Sequence, residues 1–205
     1  MNYLQYIVEN IHTVIVATVD ENGLPVTSAI DMMDYDDSGL YFLTAKGKNF
    51  YNRLMNRGYI ALTGLEGTDT LSSKTISIRG KVECLGNDLI PKLFKKNPYM
   101  AEIYPDEGSR DSLVVFKLYE GQGEWFDLSK KPIERQSFSI GNVEIRPTLF
   151  YIDDTCISCG ACLSSCPQEC IDVYSMPAII SQENCLHCGK CMEVCPMASI
   201  HKIHG

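Results

Sequence analysis

The sequence predicts a mainly β N-terminal domain, folded as a small barrel with flanking helices, and a small α+β C-terminal domain. Two observations support this division. Short runs of β-branched and aromatic residues, separated by turn residues and a few helical segments, fill the first part of the 205-residue chain. After them, one cysteine motif occurs twice within a short segment. We expect the domains to cover residues 1–143 and 144–205.

The helices and strands of the barrel are predicted from hydrophobic spacing and turn residues. Apolar residues at helical spacing predict an amphipathic helix over residues 1–12. Strands are predicted at residues 13–19, 25–33, 40–44, 59–65 and 75–83. Helices are predicted at residues 48–57, ending at Gly58, and at residues 88–96.

Turn residues also predict the end of the first domain. Strands at residues 112–119 and 124–128 flank Gly121-Gln122-Gly123, which predicts a hairpin. Residues 132–148 are expected to join the two domains. Residues 148–205 are then expected to form two strand–helix–strand repeats.

Eight cysteines near the C-terminus form two copies of the spacing C-x2-C-x2-C-x3-C, each followed by proline. This is the run of bacterial ferredoxins, in which the fourth cysteine binds the other cluster. We therefore predict two [4Fe–4S] clusters. The predicted ligands of the first are Cys156, Cys159, Cys162 and Cys195, and those of the second are Cys185, Cys188, Cys191 and Cys166. Because so short a domain cannot bury a large core, we expect the clusters to supply much of its stability.

Zinc and disulfides are the alternatives for a cysteine-rich segment. Structural zinc sites usually have two separated ligand pairs, whereas each copy here has three evenly spaced cysteines, a fourth and a proline. Disulfide frameworks belong to short secreted chains, and residues 1–12 lack the basic start and apolar core of a secretion signal. Iron–sulfur clusters therefore fit the pattern best. Cys84 and Cys170 lie outside it and are predicted to be buried apolar residues.

Charge and hydropathy limit the partners and the compartment. The net charge of −8 argues against a nucleic-acid partner. The chain has no apolar run approaching the roughly 20 residues that cross a bilayer, so we expect a cytoplasmic protein without a membrane span. Because exposed iron–sulfur clusters tend to be oxygen-sensitive, we expect an anaerobic host.

A candidate anion site lies between a predicted strand end and a predicted helix start. The segment Thr44-Ala45-Lys46-Gly47-Lys48-Asn49 combines two lysines with the free N–H groups of a helix N-terminus. Such a position favours a phosphate group. An ordinary polar loop with solvated lysines is the alternative, and the local sequence leaves both open.

The segments TVIVATVDENGLPVTSAID, LYFLTAKGKNFYNRLMNRGYIALTG and TISIRGKVE resemble the pyridoxamine 5′-phosphate oxidase-like, FMN-binding split barrel. The resemblance implies a six-stranded split β-barrel, usually a homodimer, with FMN at the subunit interface. It also implies the flavin contacts of this chain. They are Ser28, Ala29 and Ile30 along the ring, Thr44 at the end of the next strand, Lys48 and Asn49 at the phosphate, and Ser77 and Arg79 from the partner subunit. Asn49 departs from the family's basic pair, and Lys46 is the candidate for the missing charge.

Together the two halves predict an oxidoreductase that couples one-electron clusters to a flavin. We expect electrons to arrive from a ferredoxin-like or other redox partner protein and to reach a small-molecule acceptor. The oxidase family's substrate-phosphate residues cannot be placed in this sequence, and no catalytic side chain is assigned, so vitamin B6 oxidation is not expected. An electron-transfer relay that docks a partner enzyme and a non-catalytic redox or flavin sensor are the alternatives.

Overall fold

The computed structural model describes residues 1–203, which form two compact units. The first unit comprises residues 1–66, 75–124 and 138–143. The second comprises residues 67–74 and 125–137 together with the chain from Glu144 onward. Two segments of the second unit thus precede residue 143, which the sequence predicts as the end of the first domain. The two-domain boundary remains a prediction.

Most of an eight-stranded sheet lies in the first unit. Its order is β2-β1-β5-β6-β7-β4-β3, and β8 pairs with β7. The strands are β1 Thr13–Val19, β2 Pro25–Asp31, β3 Asp34–Asp36, β4 Gly39–Ala45, β5 Tyr59–Glu66, β6 Lys74–Gly86, β7 Leu113–Asp127 and β8 Glu134–Ile140. Pairing is antiparallel between β1 and β2, β1 and β5, β3 and β4, and β4 and β7. The mainly β prediction for this part of the chain is confirmed.

Short helices flank this sheet. They are α1 Tyr3–Tyr6, which continues as a π-helix over Ile7–Ile11, α2 Asn49–Arg57, α3 Ile90–Lys96, α4 Met100–Ile103 and α5 Glu107–Arg110. Helix α2 buries Phe50 and Leu54 and ends at Gly58, whose φ of 58° is the left-handed cap that the sequence predicts. Over residues 1–203 no helix is both long enough and apolar enough to span a bilayer.

The second unit contains the cysteine repeats and four further strands. These are β9 Leu149–Ile152, β10 Ile171–Asp172, β11 Ile179–Ile180 and β12 Ile200–Ile203, with helices α6 Ala161–Ser165 and α7 Lys190–Val194. Strand β9 pairs with β12 and β10 with β11, both antiparallel. This is the small α+β arrangement that the sequence predicts.

The predicted hairpin at Gly121-Gln122-Gly123 is wrong, because β7 runs through it without a turn. The glycines serve close packing instead. A Cβ atom on Gly121 would lie 2.6 Å from the carbonyl oxygen of Arg79, and one on Gly123 would lie 2.2 Å from Cζ of Phe138. A glycine inside a strand often marks such an approach rather than a turn.

The predicted linker over residues 132–148 is also wrong in its first half, where β8 forms. Its strand sequence is mostly polar, so its apolar members are too few to give a clear signal. Both apolar side chains of β8, Phe138 and Ile140, are nevertheless packed. The ring of Phe138 stacks on Tyr3 with centroids 4.4 Å apart, and Ile140 is 3% exposed.

A buried carboxylate ties β3 to α3 in the first unit. Asp34 is 1% exposed, pairs with Lys92 Nζ at 2.8 Å and with Lys96, and accepts a hydrogen bond from the backbone N–H of Tyr35 at 2.9 Å. Burial by itself raises the pKa of Asp34, but hydrogen bonds from Lys92, Lys96 and Tyr35 outweigh it and hold the pKa below its ordinary value.

We expect Asp34→Asn to destabilise the first unit by about 1–3 kcal/mol, because the two lysines lose their charged partner at a buried site. Since the folded-state pKa of Asp34 is lowered, its contribution is present above the ordinary pKa and is lost as pH falls below it. Urea denaturation at several pH values measures both effects. The control is Asp37→Asn, at an exposed turn residue. Equal losses in the two variants would contradict the assignment.

Candidate functional site

The two cysteine repeats adopt the same local structure. In each copy a loop carries the first two cysteines and a five-residue helix carries the third, α6 in one and α7 in the other. Gly160 and Gly189 precede these helices, and both have φ of 79°. This left-handed backbone is inexpensive only for glycine, which explains why glycine occupies the turn before each helix.

The first cavity of the second unit is lined by four cysteines from both repeats. They are Cys156, Cys159, Cys162 and Cys195. Most of the other lining side chains are apolar, including Ile152, Ile157 and Val173. The structure therefore brings together the four residues that the sequence predicts as ligands of one cluster.

The second cavity is the counterpart of the first. Its lining includes the other predicted set, Cys166, Cys185, Cys188 and Cys191, together with Cys170. Phe150, Ile171 and Ile180 supply apolar walls. Among residues 1–203, no three His, Cys, Asp or Glu side chains converge as a site for a single metal ion. All-sulfur donor sets around a larger space fit a cluster, because thiolates are the ligands that iron–sulfur clusters take.

Backbone N–H groups point at the cysteine sulfurs in both repeats. Ser158 N donates to Cys156 Sγ and His187 N to Cys185 Sγ, each at 3.4 Å. Ser158 and His187 have φ of 48° and 56°, the left-handed backbone that aims these amides inward. Backbone hydrogen bonds from Ala178 and Ser158 lower the pKa of Cys156. Fixed N–H dipoles of this kind favour negatively charged sulfur.

The two cysteines outside the motif differ in burial. Cys170 is 8% exposed, as predicted, whereas the prediction for Cys84 is wrong because that side chain is exposed on β6. The Cys170 thiol lies 3.5 Å from Cys166 Sγ. A hydrogen bond from Cys170 lowers the pKa of Cys185, against the opposing effect of burial. The sequence motif gives no sign of these contacts.

The candidate anion site lies where β4 ends and α2 begins. Lys46, Lys48 and Asn49 are exposed there. Lys48 is the N-cap of α2, and no side chain caps the helix. The first backbone N–H groups of α2 are therefore open to an anion. Thr44 is 3% exposed, and its Oγ1 has no hydrogen-bond partner within the part of the chain that the structure describes. A bound polar group would satisfy this atom, so the residues fit a phosphate-bearing cofactor.

One basic residue near this site is missing from the sequence prediction. Arg53 lies one helical turn after Asn49 on α2, and its Nε donates to Thr18 Oγ1 on β1 at 2.7 Å. Residues four apart on a helix share a face. That spacing was the available signal, and it places a basic side chain on α2 one turn beyond Asn49.

The remaining predicted contacts occupy two separate places on the sheet. Ala29 pairs with Ile15, Ile15 pairs with Thr63, and Thr63 Oγ1 lies 3.2 Å from Ser77 Oγ. Three strand spacings separate Ala29 from Ser77, which is roughly 14 Å. Within one chain, the segment containing Ser28, Ala29 and Ile30 is therefore not in contact with Ser77.

The strand β2 residues also face in two directions. Ala29 is exposed, whereas Ser28 and Ile30 are half-buried on the opposite face. Arg79 is exposed two residues after Ser77 on β6 and lines an open cavity with Tyr59, Lys81 and Glu120. Lys81 and Glu120 form an ion pair of 2.6 Å across this cavity.

The face of β1 and β5 in this sheet is apolar and uncovered in the single chain. Ile15, Val19, Tyr59 and Leu65 are 51%, 39%, 47% and 59% exposed. Exposed apolar patches of this kind mark interaction surfaces.

These features define a redox class of protein, in which a flavin-binding type of barrel is fused to an iron–sulfur domain. Residues 3–146 match the family model described as pyridoxamine 5′-phosphate oxidase, and the chain belongs to this family. Residues 144–200 match a 4Fe-4S dicluster domain. The predicted combination of the two is confirmed.

Individual relatives agree with the fold. A pyridoxine/pyridoxamine 5′-phosphate oxidase of Serratia proteamaculans is 35% identical over 88 residues, which cover 43% of this chain and 39% of that protein. The chain thus spans about two fifths of that relative's length. A NimC/NimA family protein from Clostridium acetobutylicum has a TM-score of 0.55 at 16% identity, covering 67% of this chain and 94% of its own. A protein related to general stress protein 26, from the same species, has 0.51 at 21%, covering 68% and 91%. At these identities the two structures show the fold alone.

Proposed function

We propose that this protein is an iron–sulfur flavoprotein oxidoreductase that passes electrons between two [4Fe–4S] clusters and FMN to reduce a small-molecule acceptor. The observation that carries the proposal is the pair of cavities, each lined by the four cysteines that the crossed ligand pattern requires. They occur in a chain whose barrel belongs to a flavin-binding family. The combination joins one-electron carriers to a cofactor that accepts one or two electrons.

The chain provides both the ligands and the surroundings that each proposed cluster needs. Eight thiols supply the ligands, the N–H groups of Ser158 and His187 favour charge on sulfur, and apolar walls limit water. Bound there, a [4Fe–4S] cluster supplies one-electron transfer at a potential set by such hydrogen bonds and by solvent exposure. Cys159 and Cys188 are exposed, which supports electron exchange with a ferredoxin-like or other redox partner protein.

The proposed FMN site combines the anion site with the sheet. Lys48, Asn49 and the first amides of α2 bind the phosphate, with Lys46 as the added cation and the free Thr44 Oγ1 as a polar contact. Segment Ser28-Ala29-Ile30 lies along the ring. FMN supplies the chemistry of hydride and single-electron transfer, while these residues hold and orient it.

The proposed site is completed in a homodimer. Ser77 and Arg79 lie too far along the sheet to reach a ring beside Ala29 of the same chain. The exposed apolar face of β1 and β5 between them offers a self-association surface. A second copy packed on this face would present its own Ser77 and Arg79 to the flavin.

Protein purified without air tests the proposal directly. We expect about eight iron and about eight sulfide per chain, one FMN per chain, and a dimer by light scattering. Reduced ferredoxin should then reduce the flavin, and a small oxidant such as a quinone should reoxidise it. Metal-free protein, or brown protein that stays flavin-free after reconstitution with FMN, would contradict the proposal.

We expect Lys48→Ala to weaken FMN binding about tenfold and to leave the iron content unchanged, because a charged hydrogen bond is worth about 1.5–3 kcal/mol and this lysine is exposed. Flavin fluorescence titration of the apoprotein measures the change. Lys95→Ala, at an exposed lysine on α3, is the matched control. Equal affinities in the two variants would show that Lys48 is a solvated surface residue.

A further inference from the structure

We propose that Cys170 is an alternative ligand for the iron bound by Cys166, so that the second cluster has a resident replacement ligand and the first does not. The inference rests on the proposed clusters but goes beyond them. Nothing in the ferredoxin spacing assigns a role to this cysteine.

The first argument is geometric. Cys170 lines the second cavity together with the four predicted ligands, so this cavity has five thiols for four ligand positions. Its Sγ lies 3.5 Å from that of Cys166. Cys170 is 8% exposed and lines the cavity, so its side chain contacts the cavity rather than solvent. A small side-chain shift would bring it to the position of the Cys166 sulfur.

The second argument comes from the other repeat. Ser199 follows Cys195 by the same four residues as Cys170 follows Cys166, and Ser199 is fully buried. Its hydroxyl accepts a hydrogen bond from Thr155 at 2.8 Å. A hydroxyl is a much poorer ligand for cluster iron than a soft thiolate. At this corresponding position, the second cavity therefore has a thiol where the first has a hydroxyl.

The backbone that carries these two residues is the same in both repeats. Glu169 N donates to Cys166 O, and Ala198 N donates to Cys195 O, both at 3.2 Å. Glu169 and Ala198 each have φ of 51°. The turn thus places the fourth residue after the motif beside the cluster cavity in each case, and the side chain alone decides whether that residue can bind iron.

The exchange of Cys166 for Cys170 as iron ligand balances in atoms and electrons without an oxidant or a reductant. When Cys166 is absent, the Cys170 thiol releases its proton to solvent and its sulfur forms the bond to the vacant iron position. When Cys166 is present, its bond to iron breaks as the Cys170 sulfur binds in its place, and the departing Cys166 thiolate takes up the proton that Cys170 releases. The iron keeps its oxidation state in both cases. The second cluster should therefore survive the loss of Cys166.

Cysteine variants of the full chain, purified without air, test this inference by iron and sulfide content and by EPR of the reduced protein. We expect Cys166→Ala to keep nearly all of the wild-type iron, with a changed EPR signal. Cys195→Ala should lose about half of the iron, and so should the double variant Cys166→Ala/Cys170→Ser. Loss of half of the iron in Cys166→Ala itself would overturn the inference. Failure of the proposed function is distinct, because the wild-type protein would then contain no iron.

A transfer experiment tests the same idea where the alanine variant does not accumulate. Adding Ser199→Cys to Cys195→Ala should restore the first cluster, because the two turns have the same backbone. Iron content that stays at half in this double variant would overturn the inference.

Discussion

Removal of iron is expected to unfold the second unit and to leave the sheet of the first unit folded. Within residues 1–203, the core cluster around the cysteine repeats has ten buried residues, of which four are cysteines that line the proposed cluster cavities. Its regular strands are short, and β10 and β11 have two residues each. So small a core does not offset the loss of chain entropy by itself. We therefore expect bound clusters to supply folding free energy to this unit, as metals do in small metal-bound domains.

Hydrogen exchange followed by mass spectrometry measures this effect separately in each unit. After treatment with an iron chelator, peptides covering β9 and β12 should lose their protection, whereas peptides covering β4 and the first part of β7 should keep it. Chelator saturated with zinc beforehand is the control. Retained protection of β9 and β12 in iron-free protein would show that the second unit folds without clusters.

Cys159→Ala should remove about half of the iron and sulfide, leave the second cluster in place and leave FMN bound. Cys159 lines the first cavity and is absent from the lining of the second. Its replacement leaves three cysteines around the first cavity, and Ser199 offers only a hydroxyl nearby. Loss of a full cluster is a larger effect than any that we expect from the cofactor lysines.

The exposed Cys84 on β6 provides the matched control for this variant. Cys84→Ala should change neither the iron content nor the EPR signal, because that residue lies outside both cavities. Iron, sulfide and flavin assays on the three proteins, together with EPR of the reduced forms, give the comparison. Complete loss of iron from Cys159→Ala would contradict independent cluster sites.

The cysteine sites were predictable from sequence because a compact cluster imposes short, fixed spacing on its ligands. The spacing gave the two ligand sets, and the positive φ of Gly160 and Gly189 follows from the same constraint. Cys170 was predicted to be buried, yet its contact with Cys166 depends on a turn that brings residue 170 back to the cavity. That turn has no strong residue signature, since Glu169 rather than glycine adopts the left-handed backbone.

The barrel was predictable in outline and less so in detail. Strand β1 and helix α2 carry clear local patterns, and both form close to their predicted positions. Strand β7 was predicted as a hairpin because local sequence cannot show that Gly121 packs against the backbone of Gly80 and Arg79. For the flavin contacts, the sequence implied the residues by resemblance, but the separation of Ala29 from Ser77 follows from strand register alone.

The sharing of both cavities between the repeats has a consequence for biosynthesis. When only the first repeat has been synthesised, the nascent chain contains three cysteines of the first cavity and two of the second. Neither cavity can close at that stage. We therefore expect loading of the two proposed clusters to wait until the second repeat has left the exit tunnel, and premature termination between the repeats to eliminate both cluster sites together.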